Sequence, residues 1–200
     1  MLIFITGGVR SGKSSFAEMV AVYHGNKGYR LHYVATCDQS GEEMAGRINR
    51  HREDREKSGY AWKTWEQPRN IHDLCTVFKQ EEVILLDCLT NLVSNELFDG
   101  WQENRNQWEG IAFRELVFQK IMDAIMELEK QCGVLIIVSN EVFQGLLPDD
   151  SGTFYFMQIM GHLHQHIVRQ AHWVYQVEFG MPILRKGYDA GENQFTACTV

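Results

Sequence analysis

The sequence predicts an α/β domain with a largely parallel sheet, and three observations carry that prediction. Apolar runs of strand length alternate with stretches of helical period. Two of the runs, Val83 to Leu86 and Val134 to Val138, are unbroken aliphatic stretches of the kind that suits strands covered on both faces. The length of 200 residues, with 44% hydrophobic and 22% charged side chains, fits about one domain with one sizeable core. In chain order, Leu2 to Thr6 reads as a strand, Lys13 to Tyr23 as a helix and Leu31 to Thr36 as a second strand. Glu42 to Lys57 is helical and almost all polar, with Met44 and Ile48 as its clear apolar pair, so it is expected on the surface. Ile71, Leu74, Cys75 and Phe78 mark a further helix, followed by a strand over Val83 to Asp87 and a helix over Leu89 to Phe98. Trp101 to Gly110 is polar and reads as a surface loop. Phe113, Val117, Ile121, Ala124, Ile125 and Leu128 step by three and four into the clearest amphipathic helix, which delivers the strand Val134 to Val138. A last helix around Met160, Leu163, Ile167, Val168 and Ala171 precedes a strand over Trp173 to Phe179. Gly180-Met181-Pro182 is expected to turn into a closing hairpin strand, and the tail from Gly187 to be loosely held.

The charge balance narrows the function classes. With 19 Lys+Arg against 26 Asp+Glu the formal charge is -7, which offers no basic footprint for nucleic acid and points to small-molecule chemistry. No aliphatic run approaches the roughly 18 residues of a spanning helix. Met1 to Ile5 lacks a basic flank and runs into glycines, so a first strand and a cytoplasmic chain are expected. The five cysteines, Cys37, Cys75, Cys88, Cys132 and Cys198, are scattered and form no C-x-x-C pair, as expected of reduced thiols.

The sharpest motif is Gly7-Gly8-Val9-Arg10-Ser11-Gly12-Lys13-Ser14, which fits G-x-x-x-x-G-K followed by Ser or Thr between a predicted strand and a predicted helix. The glycines let backbone N–H groups curl around phosphate oxygens, the helix points its positive end at them, Lys13 meets the terminal phosphates and Ser14 is placed to ligate Mg2+. Further on, Asp87 follows four aliphatics at the carboxyl end of a strand, where a nucleotide's metal-side carboxylate belongs. A strand-end aspartate is also a common helix cap.

On the polar helix, Arg47, His51 and Arg55 are spaced i, i+4, i+8 and share a face, with Arg50 and Arg52 beside it. Surrounding cations disfavour the imidazolium, so His51 is expected to be neutral and nucleophilic, and the arginines suit phosphate. Spacing alone favours a plainer reading, a solvated face in which Glu53, Asp54 and Glu56 alternate with the bases. His162, His164 and His166 do not form a metal site on a helix, because only His162 and His166 share a face; surface or interface positions are expected.

Taken together, these elements resemble the bifunctional adenosylcobinamide kinase and adenosylcobinamide-phosphate guanylyltransferase family. The resemblance runs through Gly7 to Ser14 with Ala17-Glu18, Tyr33 to Thr36, Glu43-Met44 with Arg47-Ile48 and His51, and Trp62-Lys63-Thr64 with Glu66 and Pro68. It continues through Leu85 to Thr90 with Asn95, Asn140-Glu141-Val142 and Gly180 to Lys186. It implies a P-loop NTPase-like (RecA-like) three-layer sandwich over residues 1–200 as one nucleotide-binding domain. It implies phosphorylation of the corrinoid's aminopropanol hydroxyl by a nucleoside triphosphate, ATP or GTP, and then transfer of GMP from GTP through a GMP-histidine intermediate at His51. By the same resemblance the nucleotide is contacted by Gly7, Gly8, Val9, Arg10, Ser11, Gly12, Lys13, Ser14, Ala35, Thr36, Cys37, Arg52, Glu53, Asp54, Arg55, Glu66 and Asp87. Mg2+ falls to Ser14 and Asp87, and a homotrimer is an inherited expectation. Two other readings stand beside it: a GTP-binding paralogue without catalysis, and a kinase for another small hydroxyl substrate.

Several positions depart from the family's pattern. Val9 replaces the usual Ala, and Arg50 stands where some relatives have a second His. In the second half, Phe143 replaces Gly after Asn-Glu-Val, Phe154-Tyr155-Phe156-Met157 replaces an Arg-rich stretch, and His164 and His172 replace Asn and Asp. The nucleotide-handling residues are therefore closer to the family than those of the second half.

Overall fold

Leu2 and Phe4 enter one hydrophobic core while Ile3 and Ile5 enter another, which is what an apolar strand covered on both faces requires. The computed structural model describes residues 1–37, 55, 59–103, 106–145 and 149–187. These form β1 (Leu2–Gly7), α1 (Lys13–Gly25), β2 (Arg30–Ala35), β3 (Trp62–Glu66), β4 (Glu82–Asp87) and α2 (Leu89–Leu97). They continue with α3 (Ile111–Gln131), β5 (Val134–Asn140), α4 (Ser151–Gln170), β6 (Trp173–Glu178) and β7 (Met181–Lys186). The seven strands make one sheet in the order β3-β2-β4-β5-β1-β6-β7. All neighbours are parallel except the closing hairpin β6–β7.

Helices cover both faces, giving three layers. Phe16, Ala17, Val20 and Ala21 of α1 pack on Val83 and Leu85 of β4 and Val134, Ile136 and Val138 of β5. On the opposite face α2, α3 and α4 pack on Ile84, Leu86, Leu135 and Ile137. The parallel register aligns the strand ends: Gly7 pairs with Asn140 and Val177, and Ala35 with Asp87 and Glu66. The described residues that follow β1, β3 and β4 leave from this one carboxyl edge, where ligands of open α/β sheets bind.

The structure corrects four expectations. The segment from Ile71 to Phe78 is only a 3-10 turn over Ile71–Leu74, entered through Asn70 at φ 52. Ile71, Leu74, Cys75 and Phe78 are buried while Val77 is exposed, so their spacing records one covered side of a short connection and not a full helix. The stretch after α2 holds two 3-10 turns, Trp101–Glu103 and Gln107–Glu109, and buries Trp108. Edge strand β3 went unforeseen, because its residues are half polar and mostly exposed. His164 is not a surface residue: its Nε2 lies 2.8 Å from Ser139 Oγ and its ring packs edge-on against Phe4.

Two expectations reach beyond the described residues. Of the polar helix predicted over Glu42 to Lys57, Arg55 is described and is 4% exposed, buried where a surface position was expected. The rest of that helix and the tail from residue 188 lie outside the described residues. The last helix starts earlier than its apolar period suggested, because Asp150 caps it, accepting from the backbone N–H groups of Gly152 and Thr153 at 3.3 and 2.7 Å.

Candidate functional site

The loop Gly7 to Ser14 leaves β1 and enters α1 with the tight geometry that its glycines were expected to permit. Gly12 is at φ 90, and a side chain there would press on Gly180, whose N–H donates to Ser11 O at 2.8 Å. A Cβ on Gly7 would collide with Val177 O and Ser11 Oγ. Arg10 is also in the left-handed region, at φ 60, so the loop holds strain of the kind that collects at ligand sites. The β6–β7 turn thus braces the loop from outside. Lys13 is 8% exposed and donates from Nζ to Gly8 O at 3.0 Å, which keeps its ammonium inside the loop.

Asp87 ends β4 on the face of the sheet that α1 covers. It does not cap α2, whose N-cap is Cys88. Its Oδ2 accepts from the Tyr33 hydroxyl at 3.0 Å. Burial, reinforced by Asp87, holds the Tyr33 phenol well above its ordinary range, so it remains a hydrogen-bond donor. Burial likewise pushes the Cys88 thiol up to about 12, with Asp87 adding to the shift and Lys13 opposing it. The strand end is fixed by Thr36, fully buried, whose Oγ1 donates to Cys88 O and accepts from Cys88 N, both at 2.7 Å.

The sequence-predicted residues divide by position. Gly7 to Ser14, Ala35, Thr36, Cys37, Glu66 and Asp87 all lie at the carboxyl edge or in the loops leaving it. Arg55 stacks on the Tyr33 ring at 3.6 Å and pairs with Glu18 of α1 at 3.2 Å. His51, Arg52, Glu53 and Asp54 lie outside the described residues. No motif or spacing in the sequence marks a role for Tyr33, Glu18, Thr90 or Asn95. Asn95 Nδ2 donates to Thr36 O at 2.8 Å and Pro68 O at 3.0 Å, tying the β2 end to the chain after β3. Thr90 Oγ1 accepts from Asn140 N at 2.8 Å, tying β5 to the start of α2.

Among the described residues, no cluster of three or more His, Cys, Asp or Glu side chains is placed to hold a metal by itself. One carboxylate and one hydroxyl nevertheless suit Mg2+, which keeps waters and takes phosphate oxygens as its remaining ligands. Tyr33 engages Oδ2 of Asp87, and Asp87 ends β4 while Ser14 opens α1 after the phosphate loop, so the residue types present fit such an ion.

Comparison with known proteins decides the family. The family model described as cobinamide kinase / cobinamide phosphate guanyltransferase matches residues 3–184. The chain belongs to this family. It is 32% identical to the bifunctional adenosylcobalamin biosynthesis protein CobU of Escherichia coli strain K12 over 185 residues, 92% of this chain and 98% of that one. The Salmonella typhimurium CobU is 31% identical with the same coverage, and the Pseudomonas aeruginosa CobP 31% identical over 92% of this chain and 96% of its own. Among solved structures, an ATPase domain superposes with a TM-score of 0.53 at 13% identity, over 94% of this chain and 77% of that one. That likeness shows the fold alone, a P-loop NTPase-like α/β fold. Among the described residues, no helix is long and apolar enough to cross a membrane.

Proposed function

We propose that the chain is a transferase of cobalamin biosynthesis acting twice on one corrinoid: it phosphorylates adenosylcobinamide with a nucleoside triphosphate, then transfers GMP from GTP to adenosylcobinamide phosphate. The observation that carries this reading is a family match over residues 3–184 that embraces the phosphate loop, His51 and Asp87 together. In the first step the substrate hydroxyl oxygen attacks the γ-phosphorus, the bond to the β-phosphate oxygen breaks, and the hydroxyl proton is lost. In the second, an imidazole nitrogen of His51 attacks the α-phosphorus of GTP and pyrophosphate leaves. An oxygen of the corrinoid phosphate then attacks the same phosphorus, and the P–N bond breaks to restore the imidazole.

Lys13 neutralises charge that builds on the departing phosphates, and the backbone N–H groups of Gly7 to Ser14 hold the chain in line. Mg2+ held by Ser14 and Asp87 supplies further charge neutralisation when bound. Ala35, Thr36, Cys37, Arg52 to Arg55 and Glu66 complete the nucleotide contacts in this reading. The whole chain acts as one cytoplasmic nucleotide-binding domain, assembled as a homotrimer and without a nucleic-acid partner. The test is incubation with GTP labelled at the α-phosphorus. Acid-labile, base-stable label on the protein supports the histidine intermediate. GTP binding without label favours a non-catalytic paralogue, and phosphorylation of another hydroxyl without label favours a different kinase.

A further inference from the structure

Four side chains from separate parts of the chain meet in a row below the carboxyl edge of the sheet. The Arg55 guanidinium lies 3.6 Å from the centre of the Tyr33 ring and its Nη1 donates to Glu18 Oε1 at 3.2 Å. From the far end of the ring the Tyr33 hydroxyl donates to Asp87 Oδ2 at 3.0 Å. Register explains the reach: Tyr33 pairs with Leu85 and Ala35 with Asp87, so the hydroxyl extends two residues along the neighbouring strand toward the edge. Tyr33 is 7% exposed and Arg55 4%.

Burying the Arg55 guanidinium between half-buried carboxylates costs desolvation energy that an apolar filling of the same volume avoids. Fully satisfied, such a network fixes one arrangement of its members. The ends of this one are informative. One is Arg55, four residues beyond His51 in sequence; the other is the carboxylate assigned to the nucleotide's metal side.

We propose that Tyr33 is a positioning residue that links the seat of Arg55 to the Asp87 carboxylate, so that Arg55 and the metal-side carboxylate are set by one row of contacts. The inference rests on the nucleotide-binding part of the proposed function and is independent of which acceptor receives the phosphate or GMP. Glu18 holds Arg55 against the ring; the ring transmits that seat to the hydroxyl; the hydroxyl holds Oδ2 and so fixes the rotation of the carboxylate.

The test measures the Mg2+ concentration that half-saturates binding of a non-hydrolysable GTP analogue, with thermal unfolding of each variant alongside. Tyr33→Phe keeps the ring and removes the hydroxyl. It should raise the Mg2+ midpoint by roughly three- to tenfold, the change expected from loss of one net hydrogen bond. Binding of the analogue without Mg2+ should stay within about twofold of wild type. Glu18→Gln should raise the midpoint by about two- to threefold, and the double variant should match Tyr33→Phe alone, because the Glu18 effect passes through the hydroxyl. If Tyr33→Phe does not fold, Glu18→Gln decides the matter, since it leaves ring, hydroxyl and carboxylate in place. A wild-type midpoint in either single variant, or a Glu18 effect that adds in full to the Tyr33 effect, would overturn the proposal. Coupled midpoints in a protein that forms no covalent label would uphold the link and refute the guanylyl step.

Discussion

The phosphate-loop end of the sheet and the α4 side of the second half are built on different principles. Around Gly7 to Ser14 the structure depends on backbone strain and polar contacts: Gly12 and Arg10 at positive φ, the Thr36 clamp, and the Tyr33–Asp87 hydrogen bond. Around α4 it depends on rings. Phe98 packs on Trp108 and Phe156, Trp108 on Tyr155, and the Arg114 guanidinium lies 3.7 Å from the Tyr155 ring centre. The departures expected from the sequence fall mostly on this second side, and several of those residues make defined contacts. His172 Nδ1 accepts from Leu2 N at 3.1 Å, and His164 bonds Ser139. Phe143 and His164, both departures, touch each other with ring centres 5.4 Å apart. A side built from rings absorbs substitution by repacking, whereas a strained polar loop does not.

The largest effect that sharpens this contrast is Lys13→Ala. It should lower both transferase activities by at least about a hundredfold, since charge neutralisation at the phosphates is lost. Unfolding temperature should barely move, and near wild-type turnover would remove the loop from the mechanism. On the ring side the effects should reverse. Trp108→Ala should cost about 3 kcal/mol of stability by emptying a buried aromatic site, read from chemical denaturation. Affinity for GTP in the surviving native protein should be unchanged.

Acid should find the ring side as well. Burial holds His164 down to about 4, so the folded state resists its protonation. The stability it permits is full above the unfolded value of about 6.5 and falls as pH drops from there toward 4. His24, also lowered to about 4 by burial and by Lys27, adds a loss of the same sign. His164→Asn should remove part of that acid sensitivity, which denaturation midpoints at pH 7 and pH 5 would measure. The smallest effect belongs to Phe154→Arg at a 43% exposed position, which should shift stability by no more than about 0.5 kcal/mol.

The contrast also explains what was legible in the sequence. Buried parallel strands announce themselves, because Val83 to Leu86 and Val134 to Val138 must be apolar on both faces. The loop was legible because its glycines and lysine answer to phosphate chemistry at fixed spacing. Edge strand β3 was not, since a half-exposed run such as Trp62–Glu66 has no continuous apolar signal. The row from Glu18 to Asp87 was hidden for another reason. It depends on β2 lying beside β4 and on Arg55 reaching Glu18, 37 positions away, and neither adjacency follows from local pattern. Only the register sets the Tyr33 hydroxyl against a carboxylate.

In the proposed guanylyl step, GTP held by the phosphate loop passes its GMP group to His51, and labelling with GTP tagged at its α-phosphorus is the direct test. The wild-type protein should take acid-labile, base-stable label that maps to His51, and His51→Ala should lose the label while still phosphorylating the corrinoid hydroxyl. Label on any other residue, or undiminished labelling of His51→Ala, would contradict that step.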